Sequence, residues 1–276
     1  MEVMTISWEA CRSSMPPELD AKEVDPLWRA AVASIKSKII VLDDDPTGIQ
    51  TVHSVPVYTD WEVATLRHVL DDPSHVVFIL TNSRALDAAE TASLHRLIAR
   101  RLVEASKESD ASFIVMSRSD STLRGHYPIE TSCLFEELSK KKTIDAEIIA
   151  PFFLEGGRIT IDDVHYVKDG DLLTPAAKTE FARDAVFGYS SSNMKQWVEE
   201  KTGGRFPAKE VASISLSSLR ARDIEGIVQT LCDVRGFRKI IVNATNYEDL
   251  KVFVMALAQA MSQGHNFIFR TAAGMV

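Results

Sequence analysis

Ile39, Ile40, Val41 and Leu42 form an unbroken apolar run that ends in Asp43, Asp44 and Asp45. A run this short and this uniformly apolar predicts a strand buried on both faces of a sheet. The pattern recurs at residues 76–80 and 113–116, and in weaker or shorter form at 147–150, 211–214, 240–242 and 267–269. Helical patterns lie between these runs. Asp87 precedes Glu90 by three positions, a capping-box spacing, and Leu94, Leu97, Ile98 and Leu102 follow on one face. Asn246 is placed to cap a helix whose buried stripe is Leu250, Phe253, Val254, Leu257 and Met261. Strands alternating with helices predict an α/β fold: a three-layer, Rossmann-like domain with a mostly parallel sheet and helices on both faces.

Two stretches break the rhythm. Residues 1–37 read as an N-terminal extension, interrupted by Pro16-Pro17, with a short amphipathic helix over 28–35. Residues 151–204 are rich in Gly, Asp, Thr and Ser and show little periodicity before Met194. A stretch that long without clear elements reads as functional or as a small subdomain. The main domain is therefore expected over 38–276, and the halt soon after an apparent strand is the ending expected where a further domain is absent.

The chain has 276 residues, 45% hydrophobic and 25% charged, the balance of an ordinary globular protein. A net charge of −8 argues against nucleic acid or an anionic membrane as partner, so an anionic ligand needs a local cluster of cations. Cys11, Cys133 and Cys232 are scattered and odd in number, which fits neither a zinc site nor a disulfide framework and points to a cytoplasmic location. No metal site of the protein's own is expected.

The strand ends carry the candidate chemistry. In an open parallel sheet, ligands bind beyond the carboxyl ends of the strands. Three adjacent carboxylates at such an end have two catalytic readings. One is a base that takes a proton from a sugar hydroxyl during phosphoryl transfer. The other is the D-x-D-x-T loop of a haloacid-dehalogenase-like, magnesium-dependent phosphatase, with Asp43, Asp45 and Thr47 in the motif and Thr81-Asn82 as its second element. A solvated acidic loop is the plain alternative. Ser83-Arg84 follows the second strand and places a guanidinium on the same edge, as an anion binder or as a salt bridge to the aspartates. Ser117 to His126 is denser: Arg118 and Arg124 bracket Asp120, Ser121 and Thr122, Gly125 permits close backbone approach, and Pro128 suits the first turn of a helix. Gly156-Gly157-Arg158 offers one more arginine on a glycine turn. Asp162, Asp163 and His165 read as a hydrogen-bonded surface turn before a metal site. There is no G-x-x-x-x-G-K-[ST] and no G-x-G-x-x-G, so no nucleotide site is evident in this chain.

These strings occur together and in order. Asp44-Asp45-Pro46-Thr47-Gly48, Thr81-Asn82-Ser83-Arg84, Ser117 to His126, and Ala150 to Arg158 resemble the N-terminal, substrate-binding domain of the four-carbon acid sugar kinases, formerly DUF1537. The resemblance continues through Glu180 to Asp184, Phe187-Gly188-Tyr189 and Phe269 to Ala273. It departs at Arg118, which lies two positions before Asp120, stands for the family's more usual lysine before the Asp-Ser-Thr-Leu-Arg-Gly string and places a cation nearby with different geometry. The resemblance implies ATP-dependent phosphorylation of threonate, erythronate or 3-oxo-tetronate, with ATP and Mg2+ held by a C-terminal domain that this chain lacks. It implies Asp45 or Asp120 as the group that orients or deprotonates the attacking hydroxyl. Asp44, Thr47, Gly48, Ser83, Arg84, Arg118, Ser121, Arg124, Gly125 and Arg158 are then the substrate-binding set. The expected partners are a small sugar acid and a nucleotide-binding domain supplied in trans, with self-association left open. A phosphatase using Asp43 and Asp45, and an acid-sugar-binding protein without catalysis, remain the alternatives. For the phosphatase, Lys168 and Asp162-Asp163 are the remaining catalytic candidates, and they fall in the wrong order.

Overall fold

The computed structural model describes residues 4–46, 52–109 and 111–276. The strands are β1 Ile6–Ser7, β2 Lys38–Asp43, β3 Val57–Tyr58, β4 Val76–Leu80, β5 Phe113–Arg118, β6 Ala146–Ala150, β7 Arg158–Ile161, β8 Val164–Asp169, β9 Leu172–Pro175, β10 Ala212–Ile214, β11 Arg238–Val242 and β12 Phe267–Thr271. The α-helices are α1 Trp8–Ser14, α2 Ala21–Ser34, α3 Val63–Asp71, α4 Ala88–Ala105, α5 Ile129–Leu138, α6 Met194–Lys201, α7 Leu216–Arg220, α8 Ile224–Asp233 and α9 Tyr247–Ser262.

Eight strands form one parallel sheet in the order β10-β11-β6-β12-β5-β2-β4-β3. Alternate residues of each strand face opposite ways, so each strand feeds two cores. Val41, Met116, Ile148, Ile240 and Phe269 point to one face, where Val24 of α2, Leu219 of α7, Leu231 of α8 and Phe253 of α9 cover them. Ile40, Leu42, Val77, Val115 and Ile268 point to the other, beneath Leu66 of α3, Ile98 and Leu102 of α4 and Leu134 of α5. At the β6–β11 end that second face is closed by Trp197 and Val198 of α6, which pack on Ile149 and Ile241. The three-layer α/β architecture expected from the alternating pattern is the observed one.

The irregular stretch is the small subdomain. β7, β8 and β9 form an antiparallel meander, and β1 from the N-terminal extension adds to its edge, pairing Ile6 with Leu173. The extension is thus woven into both sheets: β1 extends the small one, and α2 lies over the large one against α9. Its helix is longer than expected. It starts after Asp20, whose carboxylate accepts from the Lys22 amide, and it runs through Pro26. Among the described residues no helix is long and apolar enough to cross a membrane.

The chain leaves β2 for β3 and β4 on one side, then crosses to β5 on the other. The order therefore reverses between β2 and β5, and the crevice beyond their carboxyl ends is a topological switch point, where open α/β sheets bind ligands.

Candidate functional site

Register brings the first charges together. Asp43 and Arg118 end β2 and β5 as direct neighbours, and Arg118 Nη1 donates to Asp43 Oδ1 at 2.9 Å. Asp43 is 2% exposed. Burial pushes its carboxyl up to about 6 against the pull of Arg118. Asp44, also 2% exposed, accepts from Arg84 Nε at 3.1 Å and Nη2 at 2.5 Å, and from the Ser119 hydroxyl at 2.6 Å. Burial and the Glu130 carboxylate push Asp44 upward despite Arg84. Asp45 lies further out, with a quarter of its side chain exposed, and accepts from Arg84 Nη1 at 3.1 Å. Arg84 itself rides on a single 3-10 turn after β4, entered through Asn82 in the left-handed region at φ 52°.

The loop after β5 folds around Asp120. Its Oδ2 accepts from the Thr122 amide at 3.1 Å, from the Thr122 hydroxyl and from Arg124 Nε at 2.9 Å, while Oδ1 accepts from Arg124 Nη2 at 3.1 Å. Burial alone raises such a carboxyl, but these bonds outweigh it and hold Asp120 at about 2. Gly125 has φ 116°, and a Cβ there meets Ser119 Oγ at 2.5 Å and Asp44 Oδ2 at 3.2 Å. The close approach it permits is to the protein's own Asp44 and Ser119.

The small sheet and the segment after it grip this loop from outside. His165 donates Nε2–H to the Ser121 carbonyl at 2.7 Å, and its Nδ1 faces the Thr160 hydroxyl at 2.9 Å. Burial drives its pKa down to about 4, so it is neutral at pH 7 and its tautomer is set by the Ser121 carbonyl. Tyr189 donates to the Thr122 carbonyl at 2.8 Å. Phe181 stacks under two guanidiniums, with Arg124 at 5.0 Å and Arg158 at 5.4 Å from its ring centre.

The expected residues therefore divide. Asp44, Asp45, Arg84, Arg118, Asp120, Ser121, Arg124, Gly125 and Arg158 lie along the carboxyl edge of the sheet and the loops over it. Ser83 is fully buried, and its hydroxyl donates to Glu130 Oε1 at 2.8 Å, which braces the site from behind. The surface turn is corrected only at His165: Asp162 and Asp163 form the turn, with Asp162 exposed, while His165 is buried in β8. Asp163 turns outward from it to Asn243, Ser213 and Lys195. Thr47 and Gly48 lie outside the described residues. Each of Arg84, Arg118 and Arg124 is engaged by an aspartate, the salt-bridge alternative weighed for Arg84. The sequence reading missed Ser119, Glu130, Tyr189 and Phe181. Tyr189 and Phe181 stand in strings that matched a family, while nothing near Glu130 signals that it faces Ser83.

Among the described residues no group of three His, Cys, Asp or Glu side chains is arranged to hold a metal. Cavities lie away from the edge, among them one of about 320 Å3 beside Trp8, Gly157 and Lys168, an apolar one of about 460 Å3 between Trp28 and Met116, and one of about 670 Å3 beside Leu27, Arg222 and Met255. The candidate chemistry is at the open sheet edge, where charge and hydrogen bonding among the described residues locate the site better than concavity does.

A parallel sheet with a charged switch point defines a small-ligand domain of the α/β class. The chain belongs to the family described as the sugar-binding N-terminal domain, which matches residues 39–276, the N-terminal domain of the four-carbon acid sugar kinase family. Among solved structures it is similar to a Bordetella bronchiseptica protein of the family DUF1537, seen as a domain-swapped dimer with bound citrate. That match has 21% identity and a TM-score of 0.60, and covers 86% of this chain and 54% of that one. A Haemophilus influenzae protein of the same family is similar at 16% identity and a TM-score of 0.59, over 86% and 54% of the two chains. The chain thus spans about half the length of these proteins, 54% in each case. No curated protein matches the sequence.

Proposed function

We propose that this domain holds a four-carbon sugar acid while one of its hydroxyls is phosphorylated by ATP, with the nucleotide and its Mg2+ carried by a second domain. The observation that supports this most directly is the pairing of Arg84, Arg118 and Arg124 with aspartates around one switch point. Guanidiniums fixed by carboxylates are oriented before the ligand arrives, so less freedom is lost on binding. The family's sugar-binding description and the citrate, a small hydroxy-carboxylate, in the Bordetella relative agree with an anionic ligand.

Within this reading the two candidate bases are unequal. Asp120 is saturated by Arg124 and Thr122 and held at about 2, so it binds a proton poorly and serves to position Arg124. Asp43 sits behind Arg118 and is sealed from solvent, which also removes the footing for a phosphatase nucleophile there. Asp45, two residues past β2, is paired with Arg84 but a quarter exposed, and is the group we assign to the attacking hydroxyl. ATP supplies the phosphoryl group. This chain's residues hold the acid, aim the hydroxyl and accept its proton.

The test is calorimetric titration of the chain with threonate, erythronate and 3-oxo-tetronate, followed by phosphorylation assays with ATP, Mg2+ and a nucleotide-binding domain of the family added. Binding of one acid, with turnover that Asp45→Asn lowers by about a hundredfold or more without weakening binding in proportion, is the expected result. Binding without turnover under any supplementation identifies an acid sensor. No binding of any acid ends the proposal.

A further inference from the structure

The arginines at the sheet edge are not equivalent. Arg84 lies on Asp44 and Asp45, Arg118 on Asp43, and Arg124 on Asp120. Arg270 is 4% exposed and gives Nη2 to the Arg124 carbonyl at 2.9 Å. Arg158 has no carboxylate within ion-pair distance among the described residues. Its hydrogen bond runs from Nη1 to the carbonyl of Gly156, a neutral acceptor two positions back. Its Nε is buried without an acceptor. Arg118 and Arg270 also bury an unpartnered Nε. Arg118 is already neutralised, however, and Arg270 is sealed in, whereas Arg158 remains half-buried and reachable.

Arg158 also shares the ring of Phe181 with Arg124. A ring face attracts each cation. That attraction gives a buried N–H donor no hydrogen-bond acceptor, so the Arg158 Nε stays unsatisfied. Burial chiefly weakens the hold of Arg158 on its proton and Arg124 adds to this, while Asp120 and, less so, Glu180 oppose without pairing with it. The pair is thus short of one negative charge, on the Arg158 side, since Asp120 is already taken up by Arg124.

We propose that Arg158, seated on Phe181, takes the carboxylate of the sugar acid and so makes the domain select an acid over the neutral sugar of the same length. The proposal rests on the sugar-acid reading above and adds which end of the ligand lies at the small subdomain. A carboxylate matches the two-pronged donor geometry of a guanidinium. It also lands without displacing any existing ion pair, because Arg158 has none to give up. The flat ring beneath fixes the guanidinium plane, and the His165 and Tyr189 bonds fix the loop that carries Arg124. Phe181 is then a specificity residue that touches the ligand only through Arg158.

The experiment is titration of wild type, Arg158→Gln, Arg158→Lys and Phe181→Leu with threonate and erythronate, and in parallel with the neutral tetritols threitol and erythritol. Thermal unfolding of each variant checks the fold. Wild type is expected to prefer the acid by about tenfold or more. Arg158→Gln is expected to bring acid and tetritol to equal affinity, Arg158→Lys to keep part of the preference, and Phe181→Leu to lower the acid-to-tetritol ratio. If Arg158→Gln does not fold, Arg158→Lys and Phe181→Leu carry the comparison. An unaltered acid-to-tetritol ratio in the folded variants overturns the inference and leaves the sugar-acid reading standing. A wild-type protein that binds no acid overturns both.

Discussion

Asp43 and Asp120 lie at or just past neighbouring strand ends, yet their surroundings drive them in opposite directions. Asp120 is held at about 2, below its unfolded value near 4, so its contribution to stability is present above pH 4 and is lost as pH falls toward 2. That contribution is about 2 kcal/mol at neutral pH, and urea unfolding of Asp120→Asn against wild type should show the difference narrowing between pH 4 and pH 2.5. Asp43 is raised to about 6, so the folded state holds its proton more tightly, and its favourable share is present below pH 4 and lost as pH rises to 6. His165 opposes it in an overlapping window. Its folded value of about 4 lies below the ordinary 6.5, so the fold is penalised as pH falls from 6.5 to 4. Wild type should therefore lose stability relative to His165→Gln over that range, and relative to Asp43→Asn in the reverse direction. At this scale the sequence shows which residues are chemical but not how they are matched. Arg118 and Asp43 are 75 positions apart, and their pairing follows from strand register, which no local pattern encodes.

The central strands are legible because burial on both faces forces an uninterrupted apolar run; the capping box at Asp87 forms as its spacing implies, and Asn246 caps α9 as expected. The small sheet is illegible for the converse reason. Its strands are short: β7 alternates polar and apolar residues over only Arg158–Ile161, and β8 loses its alternation at Tyr166-Val167. Its edge is completed by Ile6–Ser7 from the far end of the chain. The start of α2 is hidden by Pro26, since proline inside a helix removes a donor and usually argues for a break. Asp20 compensates at the start, and Asp20→Ala should lower stability by about 1 kcal/mol in thermal melts. Within the large sheet, Lys239 of β11 and Glu147 of β6 form a fully buried pair at 2.6 Å, with the ammonium 3.5 Å from the Phe237 ring centre. Lys239→Met alone leaves Glu147 buried and unpaired and should cost about 3–5 kcal/mol. Adding Glu147→Leu should return most of that loss.

At the scale of the whole molecule, the small subdomain and the sheet edge are one mechanical unit. His165 and Tyr189 hold the carbonyls of Ser121 and Thr122, so ordering the loop orders the hairpin. In hydrogen exchange, saturating sugar acid should slow residues 117–126 and 158–169 together, and protection confined to the first segment disproves the coupling. The order of the sheet has a further consequence, for how the chain is made. β12, the last strand in sequence, sits between β5 and β6. Before it arrives, β5-β2-β4-β3 and β10-β11-β6 are two separate half-sheets, each with a bare apolar inner edge. At typical rates of synthesis the ribosome needs roughly 6–23 seconds to pass from β6 to β12. For that interval two sticky edges coexist on one nascent chain, and the strand that closes them is the one that carries Arg270 and Thr271 up to the site. Assembly of the binding edge and completion of the fold are therefore the same late event, and a nascent chain that stalls before Phe267 emerges has neither.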